Sequence, residues 1–199
     1  MKRLIAAIVY TALGLGAIAA PGAVRAEADI ATLEALRDGT MKKLNFHTAP
    51  KPAIEGSFLD AGGTSHDMAE LRGDVIVLNF WATWCAPCRK EMPMLSALQE
   101  RFEDRGVRVV TMASGPNPVP AMQRFFEEIG VDNLPLYRDP RQGLSRQFAV
   151  LGLPATVILD AEGRELARMV GEADWDSDSA IAILEALAEQ PAAPSGDAG

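Results

Sequence analysis

The chain has 199 residues, enough for one domain with appendages and a sizeable hydrophobic core. Its 19 Lys and Arg stand against 27 Asp and Glu, a net charge of −8 that deepens to −11 once the cation-bearing first 26 residues are set aside. A surface that acidic argues against nucleic acid or anionic lipid as a partner.

Met1-Lys2-Arg3, the apolar run Leu4 to Ala20 and the small residues Val24 and Ala26 read as an export signal cut after Ala26. Retention of residues 1–26 as an N-terminal membrane anchor is the alternative, because the run is longer than a usual signal core. Either way the remainder is exported, where a lone cysteine pair has access to disulfide chemistry. Residues 27–49 read as a short helix and connector. Ile30, Leu33 and Leu36 have helical spacing within Asp29 to Asp38, and Gly39 stops the helix. Met41 to Pro52 reads as a connector whose prolines block regular structure, with His47 on its surface.

A domain is expected over residues 50–190. Phe58-Leu59-Asp60 and Thr64-Ser65-His66 flank a tight turn, with His66 an exposed strand-end residue. Val75 to Trp81 is a strand apolar on both faces except for Asn79, as in a sheet covered on both sides. A helix is expected from about Cys85 to Arg105, kinked by Pro93 and ended by Gly106. The strand Val107 to Met112 follows, implying a parallel crossover. Pro120 opens a helix over Ala121 to Ile129 that buries Met122, Phe125, Phe126 and Ile129. Arg141 to Val150 is a short helix. Thr156 to Leu159 and Arg164 to Val170 are antiparallel strands joined at Asp160-Ala161-Glu162-Gly163. Asp176 or Ser177 caps a last helix that buries Ile181, Leu184 and Leu187. Residues 191–199, rich in Ala, Pro, Gly and Ser, read as a disordered tail.

The two cysteines, Cys85 and Cys88, sit where a buried strand gives way to a helix. Backbone N–H groups and the helix dipole at that point favour thiolate over thiol, so Cys85 is expected to be exposed and acidic. Cys88 begins the apolar row Cys88, Met92, Leu95, Phe102 and is the shielded, resolving partner. A structural disulfide closing so small a loop contributes little. A zinc site would need the remote His47 and His66, and no metal site is expected. Soft sulfur from Cys85, Cys88, Met92 and Met94 could instead hold Cu(I), the runner-up reading.

Trp84-Cys85-Ala86-Pro87-Cys88, Gly152-Leu153-Pro154-Ala155-Thr156 and the order of elements resemble thioredoxin. Asn79-Phe80-Trp81-Ala82-Thr83-Trp84-Cys85 and the exported N-terminus are similar to the TlpA/ResA-type periplasmic thiol:disulfide reductases, and Gly171 to Ser177 resembles the TlpA branch. The resemblance implies an α/β, thioredoxin-like three-layer fold, a mixed central sheet flanked by helices. It implies that Cys85 attacks and Cys88 resolves, the pair cycling through a Cys85–Cys88 disulfide. It further implies a cis Pro154 beside the pair, with Leu153, Pro154, Trp84 and Pro87 meeting the substrate.

By the same resemblance the chain is a monomeric reductase needing no cofactor, re-reduced by a membrane electron donor of the DsbD or CcdA type. Its substrates are oxidised cysteine-containing envelope proteins of cytochrome c or copper-centre biogenesis. Pro87 resembles the dipeptide of thioredoxin, near about −270 mV, and not the His of the oxidant DsbA, near about −120 mV. A disulfide oxidase or isomerase is the remaining alternative. Asn79 stands where cytoplasmic thioredoxins carry a buried Asp, so another base or water must serve Cys88. Glu91 is near enough to consider, although its place on the helix reads as a solvated carboxylate.

Overall fold

The computed structural model describes residues 30–189; the expected export segment 1–26 and the tail 191–199 lie outside the described residues. The elements run α1 Ile30–Ala35, β1 Asn45–Lys51, β2 Ser57–Leu59, β3 Ser65–Asp67, β4 Val75–Trp81, α2 Ala86–Arg101, β5 Val107–Ser114, α3 Val119–Ile129, β6 Tyr137–Asp139, α4 Gly143–Gln147, β7 Ala155–Leu159, β8 Glu165–Val170 and α5 Asp178–Ala188. Eight strands form one mixed sheet in the order β1-β8-β7-β4-β5-β6-β2-β3.

Strand β4 is the axis of the sheet. All seven of its residues are buried, as an apolar run with helices on both sides requires. It pairs in parallel with β5 (Val75↔Val107 to Trp81↔Ala113) and antiparallel with β7 (Ile76↔Leu159 to Phe80↔Ala155). On one face Val77, Val109, Ala167 and Met169 pack under residues of α2, α3 and α5. On the other, Ile76, Leu78, Phe80, Val157 and Leu159 pack with Leu144 of α4, Phe148 and Phe58. The result is the expected three-layer α/β architecture.

Several expectations change. The segment read as a connector contains β1, which pairs with β8 at the sheet edge. An edge strand tolerates Pro50, and the register is irregular between Phe46 and Lys51, where that proline falls. His47, expected on the surface, is 12% exposed and lies 2.6 Å from Glu165 Oε1. His66 is half-buried, stacked on Phe58 and bonded to Glu70. Helix α2 stops at Arg101 because the chain turns into left-handed backbone at Asp104 (φ 56°). Left-handed Gln142 and Ala149 likewise clip α4 at both ends. Strand β6 has no counterpart in the sequence reading. Three residues carry no period, and it is held by pairing with β5 and β2 and by the Arg138 guanidinium donating to Asp60 O.

Candidate active site

Chain leaving β4 is pinned before it reaches the cysteines. Thr83 N and Thr83 Oγ1 donate to Asn117 Oδ1 at 2.8 and 3.0 Å, and Asn117 Nδ2 donates to Ser114 O at 2.9 Å. Buried Asn117 thus ties the turn after β4 to the end of β5. Cys85 then caps α2, its sulfur accepting from Cys88 N at 3.3 Å, and Pro87 occupies the first turn, where a missing N–H costs nothing.

Cys85 and Cys88 form a disulfide, and no free cysteine remains. Cys88 is wholly buried. Cys85, expected to be the exposed sulfur, keeps only 5% of its surface in this oxidised state, where it is bonded to the buried Cys88. Trp84 beside it is 69% exposed.

The Leu153–Pro154 peptide is cis. Pro154 precedes Ala155, which pairs with Phe80 of β4 and Val170 of β8, and Gly171 N donates to Pro154 O at 2.9 Å. That register sets Pro154 at the end of β4 from which the cysteine turn departs. Leu153 is half-buried, while Gly152 and Leu151 are exposed. Of the residues singled out in the sequence, Cys85, Cys88, Trp84, Pro87, Leu153 and Pro154 therefore gather at one end of β4. Met92 is fully buried in the core beneath α2, and Met94 is half-buried against it. Among the described residues, no group of three or more His, Cys, Asp and Glu is arranged to hold a metal.

Glu91 overturns its expectation. It lies one turn beyond Cys88, has no exposed surface and is enclosed by donors. Its Oε1 accepts from Ala173 N at 2.8 Å and Trp175 Nε1 at 2.9 Å, and its Oε2 faces Asn79 Nδ2 at 3.4 Å. Burial pushes its carboxyl up to about 7, against the pull of those bonds. The helix period does place position 91 near the inward row, one residue before Met92. What no local pattern reveals is that Ala173 and Trp175 arrive from beyond β8 to cover it.

A family model described as the AhpC/TSA family matches residues 47–164. The chain belongs to the AhpC/TSA family. Within this thioredoxin-superfamily group it is of the TlpA/ResA type. It is 29% identical over 171 residues to the thiol-disulfide oxidoreductase ResA of Bacillus subtilis strain 168, covering 86% of this chain and 88% of that one. It is 29% identical over 113 residues to the ResA of Bacillus thuringiensis strain Al Hakam, a match to 57% of this chain that spans only 64% of the relative's length. Among solved structures, the thiol:disulfide interchange protein of the thioredoxin family from Chlorobium tepidum superposes with a TM-score of 0.55 at 25% identity, over 69% of this chain and 99% of that one.

Proposed function

We propose that this AhpC/TSA-family chain is an exported thiol:disulfide oxidoreductase that reduces cysteine pairs in envelope proteins of cytochrome c or copper-centre biogenesis. The observation that carries the reading is the Cys85–Cys88 disulfide at the start of α2. The cis-Pro154 at the same end of β4 and the buried Glu91 one turn behind support it.

In the reduced protein Cys85 is the thiolate, stabilised by the first N–H groups and dipole of α2. It attacks one sulfur of a substrate disulfide. That S–S bond breaks, a mixed disulfide to Cys85 forms, and the departing substrate sulfur takes up a proton. Cys88 then gives its proton to the Glu91 carboxylate and attacks the Cys85 sulfur. The mixed disulfide breaks, the second substrate sulfur leaves as a thiolate and is protonated, and the protein is left with the Cys85–Cys88 bond. The substrate has gained two electrons from the protein and two protons through solvent, and Glu91 releases the proton it took from Cys88 to close the balance. A carboxyl with a pKa of about 7 suits Glu91 for both taking and returning that proton near neutral pH.

Protein substrates fit the surface around the pair. The exposed large apolar side chains among the described residues are Trp84, Leu151 and Val170. Trp84 adjoins Cys85, Leu151 stands three residues before Pro154, and Val170 pairs with Ala155. Leu153 offers its backbone to an incoming strand. Residues 1–26 carry the export assignment to the periplasm, and a donor of the DsbD or CcdA type returns the electrons to the monomer. An oxidase or isomerase would use the same groups, and the direction follows from potential.

The test is catalysed reduction of insulin, with Cys85→Ser as the inactive control, together with an equilibrium redox titration. A potential near that of thioredoxin is expected. A value near that of DsbA, or activity surviving in Cys85→Ser, would overturn the reading. In cells, Cys88→Ser should trap the natural substrate on Cys85.

A further inference from the structure

Asn79 lies fully buried in β4 between a carboxyl and a hydroxyl. Its Nδ2 donates to Thr156 Oγ1 at 2.9 Å and to Glu91 Oε2 at 3.4 Å, while its Oδ1 is buried with no hydrogen-bond partner. The two N–H groups of Nδ2 are both used while Oδ1 has no partner, and a half-turn of the amide exchanges the two atoms, leaving one amide atom unpartnered in either position. In the present position the amide suits a charged Glu91, which can only accept. In the turned position Oδ1 would face Glu91 Oε2 and Thr156 Oγ1, both able to donate once Glu91 carries a proton.

We propose that Asn79 is a two-position amide switch that turns with the proton on Glu91, donating to the carboxylate and accepting from the carboxylic acid. The proposal rests on the reading of Glu91 as the group that takes the Cys88 proton. Asn79 is then a positioning residue. A fixed donor would favour the carboxylate alone and a fixed acceptor the acid alone, whereas a turning amide serves both halves of the exchange. Its second partner, Thr156, follows Pro154 by two residues in β7, so the proton on Glu91 is also felt at the root of the cis-proline loop.

Few other charges compete for control of this carboxyl. From its own helix no charged group shifts it, and Cys88, one turn before it, is uncharged in the disulfide. From the segment after β8 it meets Glu172, whose charge raises it and which is itself paired with Lys90 at 3.4 Å. Strands β4 and β7 contribute the neutral Asn79 and Thr156.

The test is side-chain amide NMR on the full chain labelled with nitrogen-15 at asparagine, with Asn79 identified by loss of its signal in Asn79→Asp. In alkaline solution the Nδ2 protons should show a strong NOE to the Thr156 β-proton, and that NOE should be lost as Glu91 is protonated. Glu91→Gln presents a permanent donor and should leave the NOE absent at every pH. An NOE retained through the Glu91 titration, or a pH response unchanged in Glu91→Gln, would overturn the switch. A functional readout runs beside it. Asn79→Leu removes the stronger, charge-assisted bond along with the weaker neutral one, so the pH midpoint of the Cys88 step should move upward; an unmoved midpoint would overturn the proposal. The acid–base reading of Glu91 fails separately, if Glu91→Gln leaves the pH profile of that step unaltered.

Discussion

Trp175 Nε1 donates to Glu91 Oε1 at 2.9 Å across 84 positions of the chain, fastening the segment before α5 to the helix that starts at the cysteines. A neutral indole N–H stabilises the carboxylate without supplying a counter-charge. Hydrogen bonds to charged groups contribute about 1.5–3 kcal/mol. Trp175→Phe keeps the ring and removes the donor, so the Glu91 midpoint should rise by about one unit. Carboxyl-carbon NMR of Glu91 measures it. An unchanged midpoint would mean that Ala173 N and Asn79 Nδ2 hold the carboxylate without the indole.

Glu91 also makes folding depend on pH, with a definite sign. Its folded value of about 7 lies above the ordinary 4.5, so between those values the folded chain holds a proton that the unfolded chain has lost. Stability therefore falls as pH rises through this window, by ~3 kcal/mol in all. Glu91→Gln removes that slope. Urea unfolding of the oxidised protein should show the variant gaining on the wild type between about pH 5 and about pH 8. Parallel curves would contradict it.

At Glu165, the first residue of β8, the sign reverses. Burial pushes Glu165 up, but its bonds to Arg168 (2.7 Å to each oxygen) and His47 (2.6 Å) outweigh it and hold the carboxyl below its usual range. The stability from this cluster is present above the ordinary carboxyl pKa and is lost as pH falls through the lowered one. Arg168→Met leaves Glu165 buried with fewer partners and should cost about 2–4 kcal/mol. Thiol chemistry at Cys85 should be untouched, since this cluster ties β1 to β8 and reaches no residue of the cysteine turn.

Asn117 gives a prediction of a different kind. Its Oδ1 holds Thr83 in the turn that delivers Cys85 to α2, and its Nδ2 anchors that contact to Ser114 O and Gly115 O. Asn117→Ala strands Thr83 N and two carbonyls, which should cost about 1–3 kcal/mol. The reduced variant should also lose part of the acidity of Cys85, because the sulfur is no longer held over the first turn of the helix. Asn117→Asp retains the acceptor for Thr83 and should restore most of it.

The parts of the molecule with their own local signal were legible in the chain. Val75 to Trp81 is apolar throughout, Gly130 and Ser177 punctuate helices, and the cysteine motif stands against a strand end. Strand β1 was not legible, since the prolines that disqualify a central strand are harmless at an edge. Strand β6 was invisible because pairing with β5 and β2 makes it, not its own three residues. Within the site, the six motif residues could be named, whereas the environment of Glu91 could not. Its burial depends on Ala173 and Trp175, more than eighty residues away, and position 91 borders the polar face of α2. Asn117 is a loop asparagine like any other until the fold brings Thr83 beneath it.

The mechanism depends above all on Cys85 being an acidic thiol at the start of α2. Rates of alkylation at Cys85, followed against pH in reduced Cys88→Ser protein, measure this directly. The rate should titrate well below the value of about 8.5 for a free cysteine. A titration curve matching that of a free thiol would contradict the proposed attack.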